Sequence, residues 1–445
     1  MGRTVISEVS LRSRLTSFGT SGYEVGLILG QSLEKEDYFI HLARTPPPRT
    51  KNVVEESLIG SSDGIDESDS KNDFESIQDI QEYWLADHAT DVTRMLPGGM
   101  RILGIFVAGP EDILDDSNNI EKLTVSIVII LTNFLNNQYL YGTNRYYYIL
   151  TYNSKTQRYV CKMIDDFRVE CTLKPVDIKF RSKRIPWIEL ETTINLDRMF
   201  CIPASKEPKS LKQQLQEILE DVSKMIDSAL ITIEGKIRSS EDLIEIIIAN
   251  ENDKNQLQVD LYIPCEKSTS METKIKPCSE SLWLIGQLVS KTIVTEKTSI
   301  EEATRAIKED IIRSLASRLE MHVDSLIEEE NDSPEENITL HEPPRRILIH
   351  LHKSRVTLSS YLFPGEEPQE ALVSLQELLD VDVEDLDIQK EIECHAESID
   401  TCQCGPSIIP ENIKKVENYL SNLRIIGLGV AILIGVIAMV FHNLY

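Results

Sequence analysis

The chain has 445 residues, 41% of them apolar, enough to bury a sizeable core in two or three domains. Its formal net charge is −27, which repels phosphate backbones and anionic lipid surfaces and so argues against nucleic-acid binding and against a basic face laid on a membrane. The eight cysteines are scattered with no Cys-x-x-Cys pair, so they read as reduced thiols, with neither a disulfide framework nor a zinc ribbon.

Met1-Gly2-Arg3-Thr4 is followed by no apolar run, and no signal peptide is expected. Val25 to Leu29 and Tyr38 to Leu42 are two short apolar runs joined by the polar stretch 31–37, which predicts two paired strands. Pro46-Pro47-Pro48 then ends the pairing. Residues 49–80 form an acidic insertion: from Ser61 to Asp79 there are seven acids, five serines and one lysine, the composition of a flexible segment. Ile80, Trp84, His88, Val92 and Met95 recur at helical spacing, and Pro97-Gly98-Gly99 stops that helix. Arg101 to Val107 is a near-continuous apolar run, expected as a buried central strand.

A helix is expected over 120–135, followed by strands at 145–151, 159–163 and 187–194. Leu211, Leu215, Ile218, Val222 and Met225 give an amphipathic helix over 211–230. Residues 243–249 read as helix or strand, and 257–263 and 282–294 as strands. Ser299-Ile-Glu-Glu302 is a capping box that opens a long helix through Leu326. Two strands (346–352 and 356–363) and a helix (368–379) follow. The stretch 381–423 is acidic and poor in apolar periodicity, and reads as a flexible tether.

Ile425 to Phe441 contains no charge and no side-chain hydrogen-bonding group over seventeen residues. As a helix it would span about 26 Å, enough for a thin bilayer. Arg424, Lys414 and Lys415 precede it, which predicts a C-terminal transmembrane anchor over 424–442 with the bulk of the chain in the cytosol. Ile425, Leu428, Val430, Ile432, Leu433, Ile434, Val436, Ile437, Val440 and Phe441 would face the lipid. Gly427, Ala431 and Gly435 make a small-residue stripe within it.

No Walker lysine motif, Gly-x-Gly-x-x-Gly loop, Gly-x-Ser-x-Gly elbow or His-Glu-x-x-His helix is present, and no thiol is spaced to meet a histidine. His350-x-His352 places two imidazoles on one strand face, but no third ligand is apparent, so neither a metal nor a cofactor is assigned. His88 reads as a structural histidine, and Tyr146-Tyr147-Tyr148 as a strand rather than a stacking platform.

The run Glu24-Val25-Gly26-Leu27-Ile28-Leu29-Gly30, followed after a helix by Gly104-Ile105-Phe106-Val107-Ala108-Gly109-Pro110, resembles the MPN metalloprotease superfamily. In that register Glu24 matches the superfamily's glutamate. Val107 and Gly109 stand where the two zinc-binding histidines would be, Ser117 at the serine and Ile120 at the aspartate. The resemblance therefore implies a catalytically empty domain, since zinc and its water need those imidazoles and that carboxylate.

A narrower resemblance runs over the whole chain. Met1-Gly2-Arg3-Thr4, Gly26-Leu-Ile-Leu-Gly-Gln31, Arg44-Thr45-Pro46-Pro47, Arg94-Met-Leu-Pro-Gly-Gly99 and Leu103-Gly104-Ile105-Phe106 resemble the odorant response abnormal protein 4 homologues. That resemblance implies a non-enzymatic adaptor at the endoplasmic-reticulum membrane. It would bind the cysteine protease specific for the ubiquitin-fold modifier and support trafficking of some G-protein-coupled receptors, odorant receptors among them. The expected fold class is α/β, of the α+β kind: an MPN-like domain over 1–205, a second α/β region over 206–380, the tether and the anchor. Trp84, Arg94, Leu96, Pro97 and Phe106, around the helix-to-strand turn, are the expected partner-binding residues.

Overall fold

The computed structural model describes residues 3–19, 22–46, 74–136, 139, 146–165, 172–203, 210–250, 255–264, 278–329, 343–351, 356–381, 386–388 and 393. The fold is mixed α/β, and Met1–Ala396 forms one compact unit.

The first sheet has eight strands in the order β7-β6-β5-β4-β2-β3-β1-β8. In the chain these are β1 (Thr4–Glu8), β2 (Glu24–Ser32), β3 (Glu36–Arg44), β4 (Arg101–Gly109), β5 (Tyr146–Asn153), β6 (Arg158–Asp165), β7 (Thr172–Pro175) and β8 (Ile178–Arg181). Only Val176 and Asp177 separate the two edge strands β7 and β8, so the sheet curls until its edges are joined by a two-residue link, in the direction strand twist favours. Inside the curl lie Phe39, Tyr148, Phe106 and Phe18, with Leu11 and Leu15 of helix α1 (Val9–Leu15). The outer face carries Ile105 and Val107 against helices α2 (Glu82–Met95) and α3 (Ser117–Asn136). β4 is thus covered on both faces, which is why its sequence is apolar almost without alternation. Its register with β2 slips at Leu103, a bulge that turns that side chain inward.

The second half is built on two long strands, β9 (Trp187–Pro203) and β12 (Cys278–Thr295), paired antiparallel from Trp187↔Thr295 to Pro203↔Cys278. β10 (Leu230–Ile233) and β11 (Gln256–Tyr262) complete that sheet. Helices α4 (Leu211–Ser228), α5 (Ile244–Asn250) and α6 (Ile300–Glu329) accompany it. The capping box at the start of α6 forms as its sequence requires: Glu302 N–H donates to Ser299 Oγ and Ser299 N–H to Glu302 Oε2, both at 3.2 Å. A third sheet, β14-β13-β15, contains β13 (Arg345–Leu351), β14 (Val356–Leu362) and β15 (Leu386–Ile388), with α7 (Pro368–Leu379) after β14.

The two halves meet through hydrogen bonds. Gln31 Nε2 donates to Ile293 O at 3.0 Å, and Thr295 N–H donates to Gln31 Oε1 at 3.2 Å. Gly98 N–H donates to Lys291 O at 3.1 Å, and Ile293 N–H returns to Gly98 O at 2.9 Å. Beneath this seam is a buried ionic network. Arg346 holds Asp310 in a bidentate pair at 2.7 and 3.0 Å, both side chains 1% exposed. Arg318 donates to Glu393 at 2.6 Å, and Glu393 also accepts from the backbone N–H of Val289 and of Arg346, at 2.9 and 2.7 Å. Within the stretch 381–423 expected as a tether, β15 therefore pairs with β13 and Glu393 is buried.

The expected location at the endoplasmic-reticulum membrane is overturned. Among the described residues no helix is long and apolar enough to cross a bilayer. The twenty-residue α3 opens with Ser117, Asn118 and Asn119 and carries Glu121 and Lys122, and α6 is charged along its length. The expected span 424–442, with Ile425, Leu428, Val430, Ile432, Leu433, Ile434, Val436, Ile437, Val440 and Phe441, lies outside the described residues, as do 49–73 of the acidic insertion and His352.

Candidate functional site

Glu24 opens β2, opposite Ala108 of β4. Its buried carboxylate accepts from the Gly19 backbone N–H and, at 3.0 Å, from Arg44 Nη1. Val107 pairs with Val25 in the sheet and is fully buried. At Gly109 an added Cβ would stand 2.3 Å from a Tyr23 ring carbon, so no larger side chain fits without moving that ring. Ser117 is exposed at the first residue of α3, and Ile120 is half-buried. The superfamily register thus gives a carboxylate neutralised by an arginine, beside two positions that offer no lone pair. No group of three or more His, Cys, Asp or Glu side chains among the described residues could hold a metal.

Arg44 links this corner to a cleft of about 810 Å³ between α2 and α7. Trp84, Asp87, His88 and Asp91 line it from α2, Val373, Gln376, Glu377 and Leu378 from α7, with Arg44, Pro46 and Asp380 at one end. Trp84, Asp87 and Asp91 stand at i, i+3 and i+7, so one helix face presents all three. The Trp84 indole N–H donates to Pro46 O at 2.8 Å, which pins the ring.

Two histidines fasten the C-terminus of α7, where the last carbonyls of a helix have no partner within it. His88 Nε2 lies 2.7 Å from Leu378 O, and His41 Nε2 lies 2.7 Å from Leu379 O. The next residue, Asp380, takes a left-handed conformation (φ 51°) and pairs with Arg14 at 2.8 Å and Arg44 at 3.3 Å. Burial holds His88 down at about 4, against the raising effect of its bond to Leu378. His41 is lowered to about 4 as well, by burial and then by the positive field of Arg14. Both rings are therefore neutral at pH 7 and act as carbonyl donors. Among the described residues His88 has no thiol or carboxylate partner; its Nδ1 sits 3.0 Å from Thr45 Oγ1.

Of the five residues expected to meet a partner, Trp84 alone lines the cleft. Arg94 is paired with Asp91 at 3.1 Å and Glu320 at 2.9 Å. Leu96 and Pro97 are buried, and the Pro97 carbonyl accepts from Arg313 at 3.1 Å. Phe106 is inside the curled sheet, stacked on Phe18 with centroids 5.0 Å apart. The structure does not gather these five on one surface. Asp87, Asp91 and Glu377 line the cleft with Trp84, the first two at helical spacing from it.

A family model described as "Odorant response abnormal 4-like" matches residues 26–390. The "Protein odr-4 homolog" of Gallus gallus is 28% identical over 463 residues, covering 100% of this chain and 99% of its own length. That of Mus musculus is 26% identical over 412 residues, covering 88% and 87%. The "Odorant response abnormal protein 4" of Caenorhabditis elegans is 22% identical over 331 residues, covering 70% and 66%. Among solved structures, the one described as UfSP from C. elegans gives a TM-score of 0.40 at 10% identity, over 85% of this chain and 57% of that one.

Proposed function

Because the chain belongs to the odorant response abnormal 4-like family, we propose that it is a binding protein of the odorant-response machinery. In this reading it acts as an adaptor that recruits the ubiquitin-fold-modifier-specific cysteine protease and supports trafficking of a subset of G-protein-coupled receptors. The observation that carries the reading is the family match over residues 26–390, together with relatives named odr-4 homolog that are covered over 87% and 99% of their length. The chemistry of the first sheet supports it. In an MPN-like frame, the ligand positions hold Val107 and Gly109, and Glu24 is committed to Arg44, so the domain is suited to pairing rather than to hydrolysis.

The test is affinity purification of the full-length chain from cells, with mass spectrometry of what accompanies it, beside receptor delivery to the cell surface when the chain is removed. Co-purification of the protease and a fall in delivery are expected. Recovery of receptors without the protease would replace the adaptor role by receptor chaperoning. Absence of both partners would sink the reading.

A further inference from the structure

We propose that the cleft between α2 and α7 receives a lysine- and arginine-bearing extended segment of a partner protein. Its walls carry Asp87 and Asp91 on one side and Glu377 on the other, with Asp380 at the end. Arg44 is the one lysine or arginine among the lining residues, and its guanidinium is already engaged by Glu24 at 3.0 Å and Asp380 at 3.3 Å. Asp87 is exposed, and no cation pairs with it among the described residues. Asp91 faces Arg94, yet its carboxyl is raised, by burial first and then by the negative fields of Asp87 and Glu320. An incoming cation would relieve that repulsion.

The apolar parts suit the stems of long cations. Trp84 has its N–H satisfied by Pro46, so its half-buried ring asks for no polar partner and offers a flat surface for a methylene chain or guanidinium plane. Val373, on the α7 wall, is 54% exposed. A volume of about 810 Å³ holds several side chains. The net charge of −27 adds long-range attraction for a basic segment.

The source of the segment rests on the functional reading above. Cytoplasmic flanks of membrane-spanning receptors are enriched in lysine and arginine, the chemistry this cleft complements.

The experiment uses the full-length chain and a fluorescent twelve-residue peptide of alternating arginine and leucine, read by anisotropy over a salt series. Asp87→Asn with Asp91→Asn should weaken binding about tenfold and flatten its salt dependence. Glu217→Gln with Asp221→Asn, the same charge change on α4, should alter it less than about twofold. Equal losses in the two pairs would reduce the effect to net charge and overturn the proposal, as would no binding at low salt. Arg49 and Lys51 follow Pro46 in sequence. If Arg49→Ala with Lys51→Ala tightens peptide binding tenfold, the cleft belongs to the chain's own segment and the proposal fails. If the cleft variant loses the peptide while receptor delivery in cells is undiminished, the cationic cleft stands and the receptor source is wrong.

Discussion

His88 Nε2 donates to the carbonyl oxygen of Leu378 across 2.7 Å, joining residues 290 apart in sequence. The bond fastens the end of α7 to α2, and Thr45 backs the ring from its other nitrogen at 3.0 Å. His88→Ala would leave a helix-end carbonyl without its donor and a gap beside it. The expected loss is about 2–4 kcal/mol of unfolding free energy, read from urea denaturation. A change under about 0.5 kcal/mol would show that α7 holds without the clasp.

The same histidine sets an acid limit. In the unfolded chain its pKa is near 6.5, and in the fold it is held down to about 4 by burial. Between those values the unfolded state binds the proton and the native state does not. Stability is therefore complete above about pH 6.5 and falls as the pH drops toward about 4, by about 3 kcal/mol for a group buried this deeply. The half-buried His41 shifts in the same direction and adds a smaller share. Melting temperatures of the wild type and of His88→Gln over pH 4–7 test this. The variant should show the flatter profile, and parallel profiles would remove His88 as the origin.

Glu393 is the point where the end of the compact unit is tied down. Arg318 pairs with it at 2.6 Å, and two backbone N–H groups, of Val289 and Arg346, depend on its oxygens. Glu393→Ala leaves the Arg318 charge buried and both donors orphaned. A cost of about 3–5 kcal/mol is expected. Chemical denaturation of the full-length variant measures it, and an unchanged midpoint would mean that the Glu393 carboxylate contributes nothing to the fold.

Most elements that repeat a clear pattern were legible. The helix at 368–379 has the bounds the sequence implied, with proline at its first turn. The capping box at Ser299 named the start of α6. The paired runs around Val25 and Tyr38 became β2 and β3. What failed to show were short elements whose identity comes from their neighbours. β7, β8 and β15 have three or four residues each, too few to display a period, and they are strands because β6, β1 and β13 offer edges. Glu393 sits in an acidic stretch whose composition resembles a linker; the Arg318 guanidinium of α6 and the backbone N–H groups of Val289 in β12 and Arg346 in β13 make it a core residue. The site was read less well than the fold. Phe106 looks from sequence like an available aromatic, but alternation in a strand covered on both faces does not distinguish inside from outside. Asp87 and Asp91 look like an ordinary solvated helix face until α7 closes the opposite wall.

The turn Pro97-Gly98-Gly99 shows the same division. Its stop signal was plain in the sequence; its destination was not. Gly98 sits against β12, trading hydrogen bonds with Lys291 and Ile293. A Cβ there would come 2.1 Å from Thr292 Oγ1, 2.8 Å from the Ala306 carbonyl oxygen and 2.9 Å from Asp310 Cβ. The threonine could rotate, but the carbonyl belongs to α6 and Asp310 is locked by Arg346. Gly98→Ala must therefore push the turn away from β12 and loosen the seam between the two halves. A loss of about 2–4 kcal/mol is expected, beyond the roughly 1 kcal/mol range of ordinary surface changes. Amide exchange should show where it falls: Gly98 and Ile293, hydrogen-bonded across the seam, should lose protection together while Phe106 and Val107 in β4 keep theirs. Uniform loss across both halves would show instead that the chain unfolds as one cooperative body, with no weaker line at this turn.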